Sequence, residues 1–279
     1  MTAPAVRLVE VGPRDGLQNE PGLLPTERKV AFIDALSGSG LADIEVSSFV
    51  SPRWVPQLAD AEEVFARIRR TAGVRYWALV PNQQGLERAA AARVDGIAVF
   101  TAASETFSRR NTNASIAETL ERFKPVLAAA TVPVRGYVST AFHCPFEGPI
   151  PPEAVLAVAR ALLVLGCREL SIGDTIGRAT PDEVRTVLEL LLGEIDAPRL
   201  ALHCHDTFGQ AVANCEAAVS LGVTTLDASA GGLGGCPYAP GAPGNVATEA
   251  LVRAFPGRTG VSLDALAAAG RALRGEPAA

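Results

Sequence analysis

Leu200-Ala201-Leu202-His203-Cys204-His205-Asp206 is an apolar, strand-like run whose C-terminal end is crowded with imidazole and carboxylate groups. In an extended chain successive side chains point to opposite faces, so His203 and His205 share one face and Cys204 takes the other as an ordinary packed thiol. The run gives way to a helical pattern over 209–221, with apolar residues recurring near a period of 3.6. The same unit repeats along the chain in both directions. Strand candidates lie at 7–12, 43–48, 75–80, 96–100, 133–138, 169–173, 200–204 and 225–230. Helical patterns fall at 25–40, 59–71, 84–92, 116–130, 152–165, 181–194 and 209–221, several opening with Pro near the first turn, where its missing N–H is not needed.

Eight strands in strict alternation with helices predict an α/β protein, a (β/α)8 TIM barrel of parallel strands, with an open doubly wound sheet as the alternative. A chain of 279 residues suits eight units of about 30 residues in one domain, 1–279. The polar residues favour the barrel. Glu10, Arg14 and Asp15 follow the first strand, Glu45 and Ser48 end the second, Asp174 follows the sixth, and His203, His205 and Asp206 end the seventh. In a closed barrel all of these meet at the C-terminal mouth, where active sites are built. The stretch 231–245 after the last strand is the one long loop, rich in Gly and Pro, and is expected to act as a lid.

Composition narrows the partners. With 48% hydrophobic, 20% charged and 5% aromatic residues, the chain can bury a sizeable Ala/Val/Leu core. A net charge of −5 without a basic run argues against nucleic acid. Apolar runs such as 154–165 are short and interrupted by Arg160, and no basic segment followed by an apolar one opens the chain, so no membrane partner and a cytoplasmic location are expected. Five cysteines at 144, 167, 204, 215 and 236 lack paired spacing and are expected to be reduced.

Two imidazoles on one strand face can share an ion or can be hydrogen-bonded core residues; converging carboxylates favour the ion. Asp15 is the natural third ligand, and a site of imidazole and oxygen donors with open positions suits Mg²⁺ or Mn²⁺ rather than structural zinc. Arg14, a guanidinium at the mouth, can stabilise an enolate oxygen. Glu45 and Asp174 are expected to orient Arg14 or substrate, with Gln18 and Ser48 beside them. Cys236 lies between glycines and Pro237 in Gly-Gly-Leu-Gly-Gly-Cys-Pro-Tyr-Ala, and a proton-donating thiol is favoured over a loop-packing one. That glycine-rich stretch lacks the spacing of a phosphate cradle.

Five motifs carry a resemblance: Glu-Val-Gly-Pro-Arg-Asp-Gly-Leu-Gln-Asn-Glu at 10–20, Ser-Phe-Val-Ser-Pro at 48–52, Gly-Asp-Thr-Ile-Gly at 173–177, His-Cys-His-Asp-Thr at 203–207 and Gly-Gly-Cys-Pro-Tyr-Ala at 234–239. From about Val6 to Gly270 the chain resembles the 3-hydroxy-3-methylglutaryl-CoA lyases of the DRE-TIM metallolyase superfamily, and the cysteine-bearing loop is what singles out the lyases. The resemblance implies metal ligands at Asp15, His203, His205 and Asn245, an enolate-stabilising Arg14, a lid thiol at Cys236 and a substrate-side carboxylate at Glu45. It implies retro-Claisen cleavage of the C2–C3 bond of an acyl-CoA to acetyl-CoA and acetoacetate, with no redox cofactor, by a homodimer. The chain departs from the pattern at Pro21 and Phe208, and it ends at Ala279 without a Ser-Lys tail, so CoA is expected to be held by mouth loops unless another acyl carrier is used. Competing readings are a lyase for a larger 3-hydroxy-3-alkylglutaryl-CoA, a Claisen-condensing synthase, and an inactive metal-binding barrel.

Overall fold

A computed structural model describes residues 4–20, 22–234 and 244–276. All eight strand-like runs are strands: β1 Arg7–Glu10, β2 Asp43–Ser48, β3 Arg75–Leu79, β4 Gly96–Ala102, β5 Val134–Ser139, β6 Glu169–Asp174, β7 Leu200–Cys204 and β8 Thr225–Ala228. Each pairs in parallel with its chain neighbours, and β1 closes the circle by pairing with both β8 and β2. Leu8 sits opposite Leu226 and Glu10 opposite Ile44. The closed barrel is therefore the fold, and the open sheet is excluded.

The helices are α1 Thr26–Ser37, α2 Ala61–Arg67, α3 Gln83–Ala91, α4 Glu105–Thr112, α5 Ile116–Ala129, α6 Pro152–Leu165, α7 Pro181–Leu192, α8 Ala211–Ser220, α9 Thr248–Ala254 and α10 Leu263–Arg274. Local chemistry sets their ends. Thr180 and Glu183 form a reciprocal capping box on α7 with Pro181 in the first turn, and Ser115 with Glu118 does the same for α5. Three helices add to the periodicity-based set. α4 is mostly polar and buries little besides Phe107, so its hydrophobic stripe is too thin to read, whereas Ser104 caps it by accepting from the Phe107 N–H. α9 and α10 follow the long loop, and α10 packs against α1 to complete the outer ring. A short hairpin, His143–Cys144 with Gly148–Pro149, interrupts the connection from β5 to α6. Among the described residues no helix is long and apolar enough to cross a membrane.

The two faces of the strands differ in chemistry. The outward face, with Leu8, Ile44, Ile97, Val138, Ile172 and Leu202, belongs to the continuous apolar core under the helices. The inward face is largely polar. Arg7 pairs with Asp43 at 3.0 Å and with Glu169, Arg135 pairs with Glu169 at 2.8 Å and with Asp227 at 2.6 Å, and Trp77 Nε1 donates to Asp43 at 2.7 Å. Barrel interiors are more often filled by branched apolar layers. Here charges of alternating sign fill the lower interior and rise towards the mouth.

Glu10 was expected to face the mouth with Arg14 and Asp15, but its side chain turns to the backbone instead. Its Oε1 accepts from the Gly12 and Ala230 N–H groups at 2.8 and 2.9 Å, and its Oε2 accepts from Thr248 Oγ1 at 2.6 Å. One buried carboxyl thus ties the end of β1 to the segments on both sides of the 231–245 loop. Burial raises it from an ordinary 4.5 to about 7, against the opposing effect of the Thr248, Ala230 and Gly12 hydrogen bonds. Because the folded-state value is raised, its stabilising contribution is complete below pH 4.5 and is lost as pH climbs through 7. Glu10→Gln keeps the hydrogen-bonding reach without the charge. Relative to that variant, the metal-stripped wild type is expected to lose about 3 kcal/mol of unfolding free energy across this window. Chemical denaturation at a series of pH values measures it, and parallel curves for the two proteins would contradict the assignment.

Candidate metal centre and active site

The centre begins with a deformed turn. Immediately after β1 the chain makes a short turn of π-helix, Gly12–Gly16, in which the Asp15 and Gly16 N–H groups both donate to Val11 O. The wide turn carries Arg14 and Asp15 over the barrel mouth, and such turns recur at functional sites. Gly16 has no room for a side chain: an added Cβ would lie 2.8 Å from Leu233 Cβ and 2.9 Å from Ser229 Oγ. His203 and His205 enter from the end of β7, with Nε2 of each 3.9 Å from Asp15 Oδ2. One ligand atom from each of Asp15, His203 and His205 lies within 4.8 Å of the others.

Asn245 joins them because the chain after the long loop runs back along the strand ends. Asp206 N donates to Gly244 O, Val246 N to Cys204 O, and Ser229 N to Val246 O, so the Asn245 side chain is held beside His205. Its amide nitrogen donates to Asp15 Oδ2 at 2.9 Å and to Leu233 O at 3.1 Å. Its Oδ1 is buried with no hydrogen-bond partner. An orphaned amide oxygen beside a carboxylate and two imidazoles fits a divalent cation that takes mixed nitrogen and oxygen ligands. At the start of the loop, Gly234 has φ +99° and lies against Gly16 and the Asn245 amide, an approach that only glycine permits.

Arg14 is fixed from several sides. Its Nε donates to Glu45, its Nη1 lies 2.5 Å from Asp15 Oδ1, and its guanidinium stands 5.3 Å from the Tyr137 ring centre. Tyr137 O–H donates to the other Glu45 oxygen at 2.6 Å, and Arg135 stands 5.2 Å from the ring centre with its Nη1 donating to the Tyr137 hydroxyl at 3.2 Å. Gln18 reaches Asp15 Oδ1 at 3.3 Å. Burial alone would favour a neutral Asp15, but Arg14 and the contacts with His205 and His203 hold its carboxyl well below the usual range. It is ionised and available as a ligand.

Two expected neighbours spend their side chains on local backbone. Asp174 accepts from the Arg178 and Ala179 N–H groups at 3.1 and 3.0 Å, so it shapes the turn after β6 rather than touching Arg14. Burial raises it to about 6, offset in part by those two N–H groups. Ser48 Oγ accepts from Val50 N at 3.1 Å and closes the turn after β2. Cys204 faces away from the centre; its hydrogen bond with Cys215 and its burial hold the thiol well above its ordinary value, as a packed residue. Cys236 and Pro21 lie outside the described residues.

Arg135, Tyr137 and Asp227 were not among the sequence candidates. Each breaks an apolar strand with a polar side chain at alternate positions, Arg135 and Tyr137 in β5 and Asp227 in β8, which in a closed barrel means an inward face. That alternation was the available signal.

The HMGL-like family profile matches residues 5–270. The chain belongs to the HMGL-like family. It is 53% identical over 272 residues to the hydroxymethylglutaryl-CoA lyase of Pseudomonas mevalonii, covering 95% of this chain and 90% of that one. The crystal structure of the HMG-CoA lyase from Brucella melitensis superposes with a TM-score of 0.95 at 51% identity, covering 98% of this chain and 99% of that one. The HMG-CoA lyase from Acinetobacter baumannii, solved with coenzyme A and 3-methylmalate, superposes with a TM-score of 0.92 at 38% identity, covering 99% and 94%. The family and fold expected from the five motifs are borne out.

Within this family member, Tyr137→Phe should remove two hydrogen bonds, the one donated to Glu45 and the one accepted from Arg135 Nη1, and leave a buried Glu45 oxygen short of a donor. Unfolding free energy is expected to fall by about 1–3 kcal/mol with Mn²⁺ affinity unchanged. Denaturant titration and Mn²⁺ binding measure the two quantities, and a large loss of Mn²⁺ binding would place Tyr137 in the ion site rather than beneath Arg14.

Proposed function

We propose that the chain is a hydroxymethylglutaryl-CoA lyase, a divalent-metal-dependent carbon–carbon lyase that cleaves 3-hydroxy-3-methylglutaryl-CoA to acetyl-CoA and acetoacetate. The observation that carries this reading is the convergence of Asp15, His203, His205 and Asn245 at the mouth, with Arg14 held beside them by Glu45. The near-full-length likeness to lyases of that name supports the substrate class, as does a relative's complex with coenzyme A.

Asp15, His203, His205 and Asn245 would hold the ion, Mg²⁺ or Mn²⁺. When bound, such an ion acidifies a tertiary hydroxyl and screens the charge that follows. The hydroxyl proton passes to the Asp15 carboxylate, which has a second oxygen to keep for the ion, while His203 Nε2, 3.9 Å from Asp15 Oδ2, serves as a ligand. As the C2–C3 bond breaks, C3 becomes the ketone of acetoacetate and the bonding electrons move into a thioester enolate. Arg14, locked by Glu45 and Asp15, is a preorganised donor for the enolate oxygen, so little reorganisation accompanies charge development. Cys236 supplies the proton that turns the enolate carbon into the methyl group of acetyl-CoA. Glu45 keeps Arg14 in place, and Gln18 braces Asp15. A cytoplasmic setting is supported by relatives named for that compartment; a homodimer rests on the resemblance alone.

The assay is cleavage of 3-hydroxy-3-methylglutaryl-CoA by purified protein with Mn²⁺ and a thiol reductant. Turnover is expected, with EDTA abolishing it and Mn²⁺ restoring it. Activity confined to a longer 3-alkyl analogue would overturn the acyl group assigned, and activity indifferent to EDTA would overturn the ion's part. Arg14→Gln should lower kcat by about 10²- to 10³-fold, as for loss of one oxyanion donor. Cys236→Ser should lower turnover sharply with Mn²⁺ binding intact, whereas unchanged turnover would remove the thiol from proton transfer.

A further inference from the structure

The charged interior of the barrel ends on one of the two clustered imidazoles. Asp227 of β8 sits opposite His203 of β7 in register, and its Oδ2 is 3.3 Å from His203 Nδ1. The same carboxylate accepts from Ser171 Oγ at 2.7 Å and from Arg135 Nη2 at 2.6 Å. Only 1% of Asp227 and 2% of Arg135 is exposed, so neither can relax into water. Arg135 is anchored in turn to Glu169, and Glu169 to Arg7. His203 Nε2 points the other way, towards Asp15.

A neutral imidazole carries its proton on one nitrogen, and the partner of that nitrogen decides which. With three donor–acceptor demands converging on it, the Asp227 carboxylate can only accept. We propose that Asp227, held by Arg135 and Ser171, is the positioning residue that keeps the His203 proton on Nδ1 and presents an unprotonated Nε2 to the cation site. The inference rests on the metal-centre reading above. A carboxylate behind a ligating imidazole fixes its tautomer and orientation and raises its basicity, and its loss typically costs 10- to 100-fold in metal affinity. Asp227→Asn is nearly isosteric, but Arg135 still claims the amide oxygen. The amide NH₂ is left facing Ser171 and Nδ1, which forces the His203 proton to Nε2 and blocks the lone pair that a cation needs.

The chain contains three histidines, so their ring nitrogens can be observed individually. ¹⁵N-histidine NMR of the metal-free wild type at about pH 8.5, where unperturbed imidazoles are neutral, with signals assigned by single substitutions, should show His203 as the Nδ1–H form. In Asp227→Asn it should show the Nε2–H form. Mn²⁺ titration of the same two proteins should give an affinity about 10- to 100-fold weaker for the variant, with the metal-free thermal midpoint recording that it folds. An Nε2–H form in the wild type overturns the proposal without need of any variant, as does a folded Asp227→Asn that binds Mn²⁺ within threefold of wild type. Failure of the wild type itself to bind Mn²⁺ would overturn the metal-centre reading and this inference with it.

Discussion

A closed barrel gives its inward side chains no route to water except through its ends, and this chain has put charges there. Arg7, Arg135, Asp43, Glu169 and Asp227 are therefore bound to satisfy one another, and they do so in alternating sign from the lower interior to the mouth. Burying an ion costs several kcal/mol, and removing one partner of a buried pair typically costs about 3–5 kcal/mol because the other is stranded. The column adds little net stability over apolar packing. What it supplies is position, because each group is usable only where its partners hold it.

The mouth inherits that order. Arg14 is set by Glu45, Glu45 by Tyr137, and the Tyr137 ring is flanked by Arg14 and Arg135. Asp15 arrives on a π-turn that glycine alone allows to nest against Leu233 and Ser229. The groups that must not move during charge development thus sit on strands and a tight turn. The thiol assigned to proton delivery belongs to the long loop, whose flanking segments are tied back to β1 through Glu10. Rigid electrostatics beneath the proposed enolate are what such a reaction requires.

Much of this was legible in the sequence. Eight β-rich runs fell on eight strands, with ends displaced by no more than two residues, because the outward strand faces are largely apolar and several connections carry capping residues or first-turn prolines. The grouping of Asp15, His203 and His205 was legible because the two imidazoles share a strand face and Asp15 follows another strand. Three things were not. α4 hides behind a thin apolar stripe; Asp174 and Glu10 look like mouth residues by position yet turn to backbone N–H groups, a choice made by loop geometry. Arg135, Tyr137 and Asp227 were missed because a polar residue in a strand is ambiguous until closure of the barrel tells inside from outside.

Two imidazoles and a carboxylate at the mouth are placed to share one divalent cation. Pulsed electron paramagnetic resonance of stoichiometric Mn²⁺ bound to the metal-stripped protein tests it most directly, by counting directly coordinated nitrogens. Two imidazole nitrogens are expected in the wild type and one in each of His203→Ala and His205→Ala. A spectrum without nitrogen coupling, or one that neither substitution changes, would place the ion elsewhere and contradict the account.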